Sequence, residues 1–290
     1  MTAKTDMTRP KLFDQGALTR HRARARLDRA GFLHEEARFE LQERLLDVNR
    51  TFTSPAIVTP FADFWADFLP GSVVVTDSDV LVLDPGGHDL VLHVMGLHWA
   101  EDPVGQLVQC RRALKPDGLL MVAMLGGETL HELRAALAQA ESEVMGGLSP
   151  RIAPMGEIRD LGGLLGRAGL SLPVADRLPQ RVTYQTLFHL IRDLREMGET
   201  NAMAARHKAI PPRALFARAA QIYAESFPAE DGRIAATFEL VFLTGWCPHD
   251  SQQKPLRPGS AAARLAEALE TTEFDETARP LPVPTTRGQE

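Results

Sequence analysis

Apolar and polar positions follow two rhythms along the chain, and they meet between His88 and Leu125, HDLVLHVMGLHWAEDPVGQLVQCRRALKPDGLLMVAML. Leu90 to Val94 is a short apolar run, the pattern of a strand buried on both faces. Asp102-Pro103 then opens a helix, with Asp as N-cap and Pro at the first helical position. Val104, Leu107, Val108 and Leu114 fall on one face of it. Lys115-Pro116-Asp117-Gly118 breaks the helix and turns the chain. Leu119 to Met124 is a second buried strand. Such a strand–helix–strand crossover sets two parallel strands in one sheet.

The same rhythms predict the flanking elements. Helices are expected over 12–29 and 32–48, the second with Phe32, Leu33, Phe39, Leu41, Leu45, Leu46 and Val48 as apolar positions. Strands are expected at 72–77 and 80–83. Downstream, Thr129 and Glu132 read as a Thr-x-x-Glu capping box. A helix over 155–168 carries Gly162, Gly163 and Gly166, which calls for close packing on the sheet. Val182–Tyr184 reads as a strand, 187–197 and 211–227 as helices, and 237–246 as a long strand.

The segments DLV, LHWAED and LKPDGLLMVAML, followed by GGETLHELRAAL, resemble the second half of a class I S-adenosylmethionine (SAM)-dependent methyltransferase domain. Within that superfamily the chain is similar to the biotin-synthesis carboxyl methyltransferases. It is most similar to the arginine hydroxylase family of mitochondrial complex I assembly factors. FDQGALTRHRARA (13–25), GGLSPRIAP (146–154), DLGGLLGRAG (160–169), DLREMGETNA (193–202) and FLTGW (242–246) extend the likeness. The resemblance implies an α/β, three-layer sandwich with a mostly parallel sheet, a Rossmann-like methyltransferase fold. Its first half is shortened and its last strand antiparallel, beside 119–124. The organisation expected is a disordered start (1–11), an N-terminal helical cap (12–50), the methyltransferase-like domain (51–271) with a helical insertion at about 186–230, and a disordered tail (272–290).

The resemblance also says where a nucleoside would sit, and there this chain departs from it. In SAM enzymes the loop after the first strand reads roughly D-x-G-x-G-x-G, because the backbone must approach the ligand with no Cβ in the way. Here the stretch is Val58-Thr59-Pro60-Phe61-Ala62-Asp63-Phe64-Trp65, without glycine. The interval from the first strand to the strand at 90–94 is too short for a full set of crossover helices.

By resemblance, Asp77, His93, Val94, Met95 and Gly126 are the cofactor-binding candidates, with Asp77 or Asp79 as the acid for the ribose hydroxyls. His93, His98 and His131 are the catalytic candidates. His93 is a proton carrier or a hydrogen-bonded core residue, the second being preferred. Trp99 reads as a packing anchor. Hydroxylation implies an oxidant, and a non-haem iron would want two histidines and a carboxylate. His98 and His131 with Glu101, Asp102 or Glu128 are the residues to consider, although spacing does not compel it, and no metal is expected.

Composition adds limits. The net charge of −6 lacks the basic footprint of a nucleic-acid binder. Two cysteines, Cys110 and Cys247, read as buried thiols. No apolar run is long enough to span a bilayer, and cytoplasmic location is the expectation. The arginines at 20, 22, 24, 26 and 29 read as a solvated face or a basic rim for an acidic partner, rather than a transit peptide. Three functions are weighed. The first is hydroxylation or chaperoning of an iron–sulfur subunit of NADH–quinone oxidoreductase, with peripheral membrane proximity. The second is SAM-dependent methylation of a carboxylate or small metabolite. The third is protein binding on a scaffold that has lost SAM.

Overall fold

The computed structural model describes residues 10–253. The sheet and helices below lie in the unit that ends at residue 249. Residues 1–9 and 254–290, where most of the expected disorder falls, lie outside the described residues.

The N-terminal region folds as α1 (Gln15–Arg22), α2 (Leu27–Ala30) and α3 (Phe32–Val48). Asp14 caps α1 by accepting from the Ala17 amide. Then follow β1 (Pro55–Val58), the one-turn helix α4 (Ala62–Trp65), β2 (Val73–Val75) and β3 (His88–Val94). The crossover α5 (Pro103–Ala113) begins where expected: Asp102 accepts from the Gly105 amide and Pro103 takes the first helical position. It leads into β4 (Leu114–Leu125). The second half is α6 (His131–Met145), α7 (Ile158–Arg167), β5 (Ser171–Tyr184), α8 (Leu187–Glu196), α9 (Arg213–Ser226) and β6 (Ile234–Trp246).

Six strands form one sheet in the order β2-β1-β3-β4-β6-β5. β2, β1, β3 and β4 are parallel; β6 runs antiparallel to both β4 and β5. The mostly parallel sheet with an antiparallel last strand is therefore as expected. Side-chain alternation divides the strands between two cores. Ile57, Leu90, Leu92, Met121 and Ala123 face α3, α6, α8 and α9. Ala56, Val58, Val91, Leu120 and Val122 face α5 and α7.

Five local expectations are corrected. Residues 80–83 form no strand: Leu81 turns inward while Val80 and Val82 are 73% and 79% exposed. The Leu81 amide bonds the Gln109 side chain rather than a neighbouring strand. Lys115–Gly118 is not a separate turn but an irregular start to β4, with a register shift against His88–Leu90 and Asp117 at φ 61°. Thr129 and Glu132 do not cap α6. Thr129 bonds the Glu239 backbone, and Glu132 accepts from the Thr237 amide and hydroxyl, so both tie α6 to β6. Of the α7 glycines only Gly162 is a close approach, its missing Cβ lying 3.2 Å from Ala175 Cβ. The strand expected at 182–184 is the end of the much longer β5.

Candidate functional site

Ligands of open parallel sheets bind beyond the carboxyl ends of the strands. At β1 that space is filled. The Thr59 amide bonds Val75 O, and Phe61 N bonds Thr59 Oγ1. Trp65 is fully buried and donates from Nε1 to His34 Nδ1 at 3.2 Å. Phe61, Phe64 and Trp65 surround the His34 ring, at centroid distances of 5.1, 5.3 and 6.2 Å. Burial lowers the His34 pKa to about 4. The Trp65 bond requires a lone pair on Nδ1, which is the neutral tautomer.

At β2 the acid is already taken. Asp77 receives the Arg22 guanidinium at 3.0 and 3.1 Å, both side chains being largely buried. Its carboxylate also lies against Gly96, where a Cβ would come within 2.4 Å of Oδ2. A surface cleft of about 500 Å³ remains outside this pair, lined by Thr19, Arg22, Pro60 and Thr76 to Asp79. A nucleoside needs small residues under it and a carboxylate free to accept from its hydroxyls. Here the turn carries proline and phenylalanine, and the carboxylate is bound to the chain's own arginine. SAM does not fit the site in this arrangement.

At β3 the candidates are enclosed. His93 is wholly buried, its Nε2 bonding Gln106 Oε1 at 2.7 Å, and burial lowers its pKa. Gln106 in turn donates to the carbonyl of Ser78. Val94 is buried, as is Met95, which has φ 53° and donates from its amide to Ala123 O. A positive φ on a non-glycine residue at a strand end is strain of the kind that clusters at functional sites. His98 and Trp99 follow in a 3-10 turn, Leu97–Trp99. Both donate to Glu199 Oε2, from His98 Nε2 at 3.2 Å and from Trp99 Nε1 at 2.7 Å. Burial works to raise the Glu199 pKa. The charge of His98 and the two hydrogen bonds outweigh it, so the carboxyl stays ionised.

Gly126 and His131 lie elsewhere. Gly126 packs against β6, its missing Cβ 2.4 Å from Val241 Cγ2, so a larger residue there strains the core whether or not a cleft is used. His131 is half-exposed at the start of α6, beside Glu128 and Phe227. It is not brought to His98, and among the described residues no three His, Cys, Asp or Glu side chains converge on a metal position. Glu101 accepts from the Leu12 and Phe13 amides, and Asp102 is the α5 cap.

Further openings lie above β4. A cavity of about 130 Å³ is walled by Leu33, Leu125, Leu133, Met197 and Phe238, with Glu199 among its lining. Arg151, Ile191, Thr200 and Asn201 line both this cavity and a wider cleft of about 610 Å³. That cleft carries Arg24, Arg26, Arg29 and Arg195. The loop holding Glu199 is latched to the N-terminus. Asp14 N bonds Ala202 O, Arg206 pairs with Asp14 at 2.8 Å, and Phe13 packs edge-on against Trp99. Arg206 and the helix cap lower the Asp14 pKa to about 2. Sequence reasoning overlooked Glu199 as a site residue. The signal was an acid immediately after the glycine that follows α8.

The fold and this site define a mostly parallel, Rossmann-like α/β sheet whose acid after β2 is already paired within the chain. Residues 23–122 match the methyltransferase domain family. Over 199 residues the chain is 42% identical to the protein named arginine-hydroxylase NDUFAF5, mitochondrial, of Danio rerio, covering 69% of this chain and 62% of that one. The protein of that name in Homo sapiens is 40% identical, covering 69% and 57%. A malonyl-[acyl-carrier protein] O-methyltransferase of Methylovorus is 35% identical, covering 60% and 56%. The two resemblances expected are thus both present, and the chain spans about 60% of the length of these relatives. A SAM-dependent methyltransferase structure from Thermotoga maritima aligns with a TM-score of 0.41 and 17% identity, covering 80% of this chain and 98% of that one. The expected cytoplasmic location is corrected: relatives from fish, mouse, human and Dictyostelium carry "mitochondrial" in their names.

Proposed function

We propose that the chain acts on a protein client, as an arginine-hydroxylase-like factor for an iron–sulfur subunit of NADH–quinone oxidoreductase. The Arg22–Asp77 pair carries this reading. It occupies the acid of the SAM half, outside which only a surface cleft remains, while the other half keeps a cavity with a charged mouth. The likeness to proteins named arginine-hydroxylase supplies the type of residue acted on. The side chains of this chain are placed for recognition: an apolar wall, an ionised carboxylate and exposed guanidinium groups. Methylation of a small carboxylate is the weaker reading, because it needs the nucleoside site that Arg22 and Phe61 occupy.

One pair of measurements tests the proposal. Hydroxylation is a two-electron oxidation, so the reading requires dioxygen and an external electron donor as co-reactants; peptide mass spectrometry of the client, from cells with and without the gene, should show an arginine heavier by one oxygen only when the gene is present. Calorimetric titration of the purified protein with SAM should give no saturable heat up to about 1 mM, the weak end of specific affinity. An unchanged arginine, or micromolar SAM binding, would remove it.

A further inference from the structure

Two observations above β4 belong together. The first is Glu199. Both of its hydrogen bonds go to Oε2. Oε1 accepts none among the described residues. This ionised carboxylate lines a mostly apolar cavity, in which the other polar side chains are Arg151, itself paired with Glu141, Thr200 and Asn201, and which is large enough for one long side chain. The second is the mouth. In a chain of net charge −6, five arginines line the adjoining cleft against one acid, Glu196. Arg151 is committed to Glu141 at 2.6 Å, and Arg26 and Arg29 have Asp28 nearby. Arg24 and Arg195 are exposed and make no side-chain bond among the described residues. A mostly apolar cavity with an ionised carboxylate in its wall suits a long cationic side chain, whose methylenes pack while its head is neutralised. A ring of guanidinium groups suits carboxylates arriving with it.

We propose that the cavity takes one arginine of an extended client segment, its guanidinium on Glu199 Oε1, while acidic residues flanking that arginine bind Arg24 and Arg195. This rests on the client reading above and adds a recognition rule to it. The mouth would repel an arginine in a basic or neutral context, so the flanking acids set specificity as well as affinity. Glu199 is here a substrate-positioning residue, held in place by His98 and Trp99.

The test is fluorescence anisotropy with short dye-labelled peptides and the full-length protein. One peptide has a central arginine between glutamates. A second has citrulline, the uncharged isostere, in its place. A third keeps arginine but has glutamine flanks. Replacing either charge should weaken binding about tenfold, the usual worth of a charge-assisted contact. Arg24→Glu with Arg195→Glu, both on exposed residues, should erase the preference for glutamate flanks. Glu199→Gln should erase the preference for arginine over citrulline. The citrulline comparison on the unaltered protein stands even if Glu199→Gln misfolds. Equal affinity for arginine and citrulline, or for glutamate and glutamine flanks, would overturn the site. An unmodified client arginine beside the expected peptide ranking would remove the hydroxylase reading and leave the site standing.

Discussion

The two ends of the parallel sheet have met different fates. Around β1 and β2, side chains pack against or pair with one another: Trp65 with His34, Arg22 with Asp77, Phe61 and Phe64 against an imidazole. Around β3 and β4, polar groups are held at one atom and left open at another, as Glu199 is, and a cavity persists. The difference shows how a binding half can become a packing half. Once glycines are replaced by bulky residues and the ribose acid has a partner within the chain, further bulk is stabilising rather than harmful. An active site tolerates voids and open acceptors; a core does not.

The sharpest way to break this contrast is truncation on each side. Trp65→Ala removes a fully buried indole from a close-packed cluster and should cost about 4 kcal/mol in urea unfolding. Ile191→Ala, at the part-exposed wall between cavity and cleft, should cost about 1 kcal/mol, because it enlarges space that already exists. Equal losses would mean that both halves are packed alike.

The second handle is pH. His34 is buried neutral, with its pKa lowered from 6.5 to about 4 by burial. Above pH 6.5 neither folded nor unfolded chain binds the proton. As pH falls from 6.5 towards 4 the unfolded chain takes it up and the folded chain does not, so stability is lost across that window. A shift of this size amounts to about 3 kcal/mol when fully expressed. His34→Gln keeps an acceptor for Trp65 and cannot titrate, so the slope of stability against pH over that window should shrink. His93, lowered in the same direction by burial, keeps some slope in place. An unchanged slope would mean that water reaches the aromatic cluster and the closed half is open after all.

Much of this was readable in the residues, for particular reasons. The unit from β3 through α5 to β4 announces itself because a both-faces-buried strand and an Asp-Pro helix start are both local signals. The missing glycines at 58–65 likewise pointed to a changed nucleoside site. The strand expected at 80–83 failed because a short apolar run alone cannot say whether a neighbouring strand is there to pair with. The Thr129–Glu132 box failed because the same two side chains found partners on β6, more than a hundred residues away. Asp77 was a candidate ligand contact from its place after β2, but nothing local says that Arg22, 55 positions earlier, occupies its carboxylate. Glu199 and the arginine cleft are products of tertiary folding, made by α1, α2, α8 and the loop at 199–206 coming together.

The smallest expected effect sharpens the comparison most. Asp102 caps α5 through the Gly105 amide at 2.8 Å. α5 packs on the face of the sheet opposite the Glu199 cavity, whose lining belongs to the other core. Asp102→Ala should therefore cost about 1 kcal/mol of stability, the usual price of an N-cap. It should leave the affinity for a glutamate-flanked arginine peptide unchanged. If peptide affinity falls with the cap, strain passes through β3 and β4, and Met95, the strained residue at the end of β3, is where it would travel. The open half would then be held open by the sheet itself, not merely left unfilled by its side chains.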